Sequence, residues 1–189
     1  MKVSINTQDL HLEGFAFVLS HHIKKPVLVL CEESLILKPV RDLNLQGVTL
    51  EEVLDTALIC HTRIDYMIRE DMVLIHEPSL FAYTPVPQAW ELELAYTTDD
   101  MGGDLETTAL NILLFLARRF KRTILVPTDS LSLLNPIPFF LKRNEGMASV
   151  LHRLSQLSRF TYTSFENMLS IKPQTQKMLP RAPNVTAIL

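Results

Sequence analysis

The stretch Phe17-Val18-Leu19-Ser20-His21-His22-Ile23-Lys24-Lys25-Pro26-Val27-Leu28-Val29 has a counterpart 97 residues later. It reads Leu114-Phe115-Leu116-Ala117-Arg118-Arg119-Phe120-Lys121-Arg122-Thr123-Ile124-Leu125-Val126. Apolar and basic positions coincide almost throughout. In both stretches a helical apolar stripe runs into a basic cluster, and a continuous apolar run follows. Such a run reads as a buried strand. Working outward, Val53-Leu54 matches Val150-Leu151 at the same offset, and Tyr66 matches Tyr162 at 96. Pro78 and Pro173 each follow a short apolar strand. The chain is therefore expected to hold two copies of one unit.

The first copy is placed at 1–78 and the second at 90–173. Between them, 79–89 reads as a linker, because Pro85 and Pro87 remove backbone donors and favour extended chain. The tail, 174–189, contains Pro180 and Pro183, has no clear period and reads as an irregular arm.

Within the first copy Val3 and Ile5 alternate as a short strand. Leu12, Phe15, Ala16, Leu19 and Ile23 line one face of a helix that Pro26 stops. Val40, Leu43 and Leu45 predict a further strand. Leu50, Val53, Leu54, Ala57 and Leu58 form a second helical stripe, opened by the capping box Thr49 and Glu52. Ile64, Tyr66 and Ile68 turn at Arg69-Glu70-Asp71 and return as Met72 to Ile75.

The second copy reads alike. Leu92 and Leu94 alternate, and extra residues sit near Thr97–Glu106 with Gly102-Gly103. Ala109, Ile112, Leu113, Leu116 and Phe120 line a helix, followed by the strand Ile124 to Val126. Phe139 and Leu141 mark the next strand, and Met147, Val150, Leu151 and Leu154 the second helix. Thr161 to Thr163 and Met168 to Ile171 close as a hairpin. The expected fold class is α+β, as two tandem β-α-β-β-α-β-β domains, each packing two helices against small sheets in its own core. The two halves are expected to superpose as one fold, and a single continuous sheet or unrelated halves would refute the repeat.

Composition narrows the function. The chain has 189 residues, 47% hydrophobic and 21% charged. That excludes disorder as the main state, which needs low hydrophobicity and high net charge. Mean hydropathy is +0.15, an apolar surplus that suits a partner interface. Five Gly leave little material for phosphate-cradling loops, and two Cys cannot form a four-Cys zinc site. Net charge is −3 with a pI near 6.1, so no global basic signal for nucleic acid is present. No apolar run approaches the ~18–20 residues of a membrane-spanning helix. Met1 to Ser20 lacks a signal-peptide core, carrying Asp9, His11 and Glu13 where apolar residues belong.

No catalytic motif is found: no G-x-S-x-G, H-E-x-x-H, C-x-x-C, P-loop or G-x-G-x-x-G. His21-His22 point about 100° apart on a helix and read as a solvated face with Lys24-Lys25. Cys60-His61 lacks the spatial geometry of an activated nucleophile. Asp99, Asp100, Asp104 and Glu106 lack calcium-loop spacing and read as a polar loop. Trp90 reads as a packing residue. Cys31 and Cys60 read as two small buried residues, with pairing left open. The chain is expected to be no enzyme, with no cofactor and no metal.

Charge is unevenly divided. Residues 1–78 hold 7 Lys/Arg and 12 Asp/Glu, and residues 79–189 hold 11 and 9. Arg118, Arg119, Lys121 and Arg122 are the candidate partner-binding residues. At a helix end they complement the helix dipole. The other reading is contact with an acidic partner, including the first domain of a neighbouring molecule.

The stretch Leu43-Asn44-Leu45-Gln46-Gly47-Val48-Thr49-Leu50-Glu51-Glu52-Val53-Leu54-Asp55, followed by Ile64-x-Tyr66 and Val73-Leu74-Ile75, resembles the secretin and TonB N-terminal short domain. The resemblance covers nearly all of 3–76. The second copy matches more loosely, because Asn144-Glu145-Gly146-Met147 replaces Gly47-Val48-Thr49-Leu50. The resemblance implies a fold with two helices between small sheets. It also implies a non-enzymatic module at the periplasmic face of outer-membrane pores or receptors, which binds proteins, signals or assembles into rings. The implied location is periplasmic or outer-membrane-associated with a signal peptide removed, and the alternative is cytoplasmic. The implied partner is an envelope protein or a second copy, with no membrane insertion. The alternative function is a KH-like nucleic-acid module, but the G-x-x-G loop that type needs is missing.

Overall fold

The computed structural model describes residues 2–78, 105–128, 133, 135–139, 141 and 144–174. Its elements are β1 Lys2–Thr7, α1 Leu12–Ile23, β2 Val27–Cys31, α2 Glu33–Ile36, β3 Leu43–Thr49, α3 Leu50–Leu58, β4 Asp65–Ile68 and β5 Val73–His76. The second half continues with β6 Leu105–Thr108, α4 Ala109–Phe120, β7 Thr123–Pro127, β8 Pro136–Phe139, α5 Met147–Ser158, β9 Phe160–Phe165 and β10 Met168–Pro173. The class is mixed α+β, as expected.

The repeat is visible in the backbone. Helices α1 and α4 are both 12 residues long and begin 97 residues apart. Each stops on a lysine in the left-handed region, Lys24 at φ 54° and Lys121 at φ 50°. The capping box of α3 is formed: Glu52 N donates to Thr49 Oγ1 at 3.2 Å and Thr49 N to Glu52 Oε2 at 2.7 Å. Just before this helix Gly47 has φ 63°, and its counterpart Asn144 has φ 52°. Asn tolerates the left-handed region better than other non-Gly residues, so the loss of glycine there keeps the turn.

Two small antiparallel sheets, β1-β3 and β6-β8, flank a six-stranded sheet of order β4-β5-β2-β7-β10-β9. Its four central strands are parallel and its two outer strands antiparallel to their neighbours. The halves join where β2 meets β7, with Leu28 opposite Ile124 and Leu30 opposite Val126. Val27 N also donates to the buried Thr123 Oγ1 at 3.2 Å. The order of the second half mirrors that of the first, as a two-fold axis running along the strands between β2 and β7 would produce.

Such an axis places the helices of the two halves on opposite faces of the sheet. Alternate residues of a strand point to opposite faces, and the cores divide accordingly. Val27, Val29, Cys31, Val73 and Ile75 pack with α1 and α3, whereas Leu28, Leu30 and Leu74 pack with α4 and α5 of the other half. Met72 reaches into the second half's core, and its counterpart Met168 packs against the first. Strand β2 is thus buried on both faces, which explains its unbroken apolar run.

The expectation of two self-contained units, each on its own sheet, therefore fails. One sheet runs through both halves, and each half completes the other's core. Contrary to the expectation above, the single sheet does not refute the repeat: the order of the main elements and the stop positions of α1 and α4 still correspond between the halves. Three local expectations are also corrected. A strand that the sequence did not mark, β6 at Leu105–Thr108, precedes α4 and begins at the end of the span Thr97–Glu106 read as extra residues, while the strand read at Leu92 and Leu94 lies outside the described residues. Val40 precedes β3 rather than belonging to it. The one-turn helix α2 was not foreseen. The linker 79–89, Trp90, the Asp99, Asp100 and Asp104 cluster, Gly102-Gly103 and residues 175–189 also lie outside the described residues.

Candidate partner interface

The basic clusters follow from the helix–strand grammar of the repeat. Each helix runs down to the start of its strand, so α1 and α4 both finish at the N-terminal ends of β2 and β7. Those strands are neighbours, about 4.8 Å apart. Lys24, Lys25, Lys121 and Arg122 therefore lie beside the starts of adjacent strands. Arg118 and Arg119 on α4 and the exposed Arg69 of the β4–β5 turn join them. Among the described residues the carboxylates at this end are Glu70, Asp71 and Glu166, so seven Lys/Arg face three acids. In a chain of net charge −3 the described residues of this end are predominantly positive.

Part of that charge fastens the halves together. Arg118 Nε donates to Asp71 Oδ2 in the β4–β5 turn of the first half. The reciprocal contact joins α1 to the β9–β10 turn, with His21 Nε2 4.0 Å from Glu166 Oε2. Phe17 packs against Phe165 there in a tilted contact, ring centroids 6.1 Å apart. Arg122 Nη1 donates to the Glu166 carbonyl. Lys24 and Lys121 are exposed and Lys25 half-buried, and none of them has an ion-pair partner among the described residues.

The opposite end of the parallel strands holds a closed polar cluster. Glu77 is 4% exposed. Its Oε1 accepts from Arg63 at 2.7 Å, and its Oε2 accepts from Glu32 N at 2.9 Å and from the Thr128 hydroxyl at 3.3 Å. Arg63 also donates to Glu32 Oε1 at 2.9 Å. That hydrogen bond holds the Glu32 carboxyl below its usual range. Burial, reinforced by Glu77 and Glu32, pushes the Cys31 thiol up to about 12. A protonated, buried thiol is a poor nucleophile, and every oxygen of Glu77 is occupied. The cluster ties together the ends of three strands through the Glu77 carboxylate.

A third feature lies on the outer edge of the first half. Glu51, Glu52 and Asp55 of α3 and Asp65 of β4 are all exposed. Tyr66 donates its hydroxyl to Asp55 Oδ1 at 2.7 Å. Its phenol is pushed up to about 12 by burial, by that bond and by the charges of Asp55, Glu51 and Asp65. None of these four carboxylates has a basic partner among the described residues. Strand β4 is also an outer strand of the large sheet.

The structure thus gathers Arg118, Arg119, Lys121 and Arg122 at one end, and places Arg118 in contact with Asp71 of its own first half. Sequence reading set Lys24 and Lys25 aside as a solvated helix face. The signal that could have included them was their exact alignment with Lys121 and Arg122, once β2 and β7 are paired in parallel. His21 and His22 each bond a carbonyl one turn back, Phe17 O at 3.0 Å and Val18 O at 2.9 Å. Cys60 is exposed rather than buried, and Cys31 and Cys60 are both free thiols. Among the described residues no group of three or more His, Cys, Asp or Glu could hold a metal ion. No helix among them is long and apolar enough to cross a membrane. Compared with family models, with curated proteins and with solved structures, the chain has no match.

Proposed function

We propose that the chain is a non-enzymatic protein–protein interaction module whose docking surface is the basic end built by both halves. One observation carries this reading: exposed Lys24 and Lys121, from the two repeats, sit at adjacent strand starts without ion-pair partners among the described residues. Unpaired exposed cations grouped on one end steer and orient an anionic protein surface. The role fits the resemblance to the secretin and TonB N-terminal short domain, which suggests envelope secretion, transport or signalling and a periplasmic location. The outer strands β4 and β9, each paired on one side among the described residues, supply further edges for a partner strand.

The test is affinity capture from solubilised envelope at low salt, comparing the wild type with Lys24→Asn/Lys121→Asn. Asn suits the left-handed backbone at both sites. Retention of an envelope protein by the wild type, lost in the variant and on raising salt, is expected. Equal retention by both proteins, or by neither, contradicts the proposal.

A further inference from the structure

We infer that the basic end docks on the acidic α3–β4 patch of a second copy of this chain, head to tail. This rests on the reading above that the basic end is a docking surface, and it names the partner. The argument is charge complementarity within one sequence. The basic end offers Lys24, Lys25 and Lys121, and the patch offers Glu51, Asp55 and Asp65, neither set having an ion-pair partner among the described residues.

The two surfaces cannot meet within one molecule. The basic end lies at the starts of β2 and β7, in the middle of the sheet. Asp65 opens the outermost strand opposite His76, at the other end of the parallel strands. Contact between unlike surfaces is heterologous, so each added copy still presents one basic end and one acidic patch, and growth closes as a ring or continues as a filament. A polyanion such as nucleic acid is the poorer partner. It would be repelled by a first half with 12 acids against 7 bases.

The whole purified chain tests this by sedimentation velocity across concentration and salt. The average mass of the wild type is expected to rise with concentration at low salt and to fall back near the monomer at about 0.5 M salt, where screening is short-ranged. Lys24→Asp/Lys121→Asp keeps residues that accept the left-handed backbone. That variant, and Glu51→Lys/Asp65→Lys, should each weaken association on the order of tenfold or more. Mixing the two variants should restore it, because an intact basic end then meets an intact patch. Thermal unfolding checks that each variant folds, and Glu51→Lys alone serves if the double change does not. A wild type that stays monomeric throughout, or reversed variants that associate like the wild type, overturns the proposal. If envelope capture still depends on Lys24 and Lys121 in that case, the docking reading stands and only the self-partner falls. Binding of a labelled single-stranded oligonucleotide more tightly than a second copy would overturn both.

Discussion

Two thiols of opposite character give a residue-scale test. Cys31 is buried with its pKa near 12, and Cys60 is exposed. One thiol per chain should alkylate in the native state at neutral pH, and two after denaturation, as counted by mass spectrometry. His61 gives a second test. It is buried, its Nε2 lies 3.1 Å from the Pro39 carbonyl, and its Nδ1 has no partner among the described residues. Burial holds its pKa below the ordinary 6.5. The unfolded chain therefore takes up this proton more readily than the folded one. The stability that follows is present above about pH 6.5 and lost as pH falls through the folded value. Denaturant titrations from pH 7.5 to 5 should show this loss, and His61→Gln should reduce it. At this scale little was legible. The sequence shows Cys60-His61 at a helix end, but which side of the helix meets the sheet decides that one is exposed and the other buried. Glu77, which joins the ends of three strands, looked like any acid after a strand.

At the scale of elements the period of the sequence was a good guide. Both long helices of each half, the α3 capping box and both closing hairpins lie where the apolar spacing places them. Thr49→Ala should cost about 1 kcal/mol in denaturant unfolding by removing one half of that box. The failures share a cause. Strand β6, Leu105-Glu106-Thr107-Thr108, has a single apolar residue, so no alternation shows. Helix α2 is a single turn, where propensity says little. The continuous apolar run of β2 was legible as a buried strand, but not the fact that two different cores bury it. That double burial makes the β2–β7 join sensitive. Thr123→Val removes the buried acceptor of Val27 N and should destabilise by about 1–3 kcal/mol, although it keeps shape and volume.

For the whole molecule, the repeat was legible and its consequence was not. An offset of 97 residues shows that two units share a pattern; it does not say whether they stand apart or interlock. The deciding information is on the strand faces: Leu28, Leu30, Met72 and Leu74 would be an exposed apolar face in an isolated first half. Pairing β2 with β7 covers that face with α4 and α5, and in the same step brings the two basic clusters to one end. Fold and proposed docking surface therefore depend on the same junction. Leu54, fully buried on α3, tests it most directly. Leu54→Asp places an unpaired carboxylate in the first core, and hydrogen exchange can then be followed across 105–128 and 144–174. With one sheet shared by both cores, amide protection should be lost in the second half together with the first. Protection retained across β7 and β10 while β2 and β5 exchange freely would contradict the single interlocked sheet and restore two independent domains.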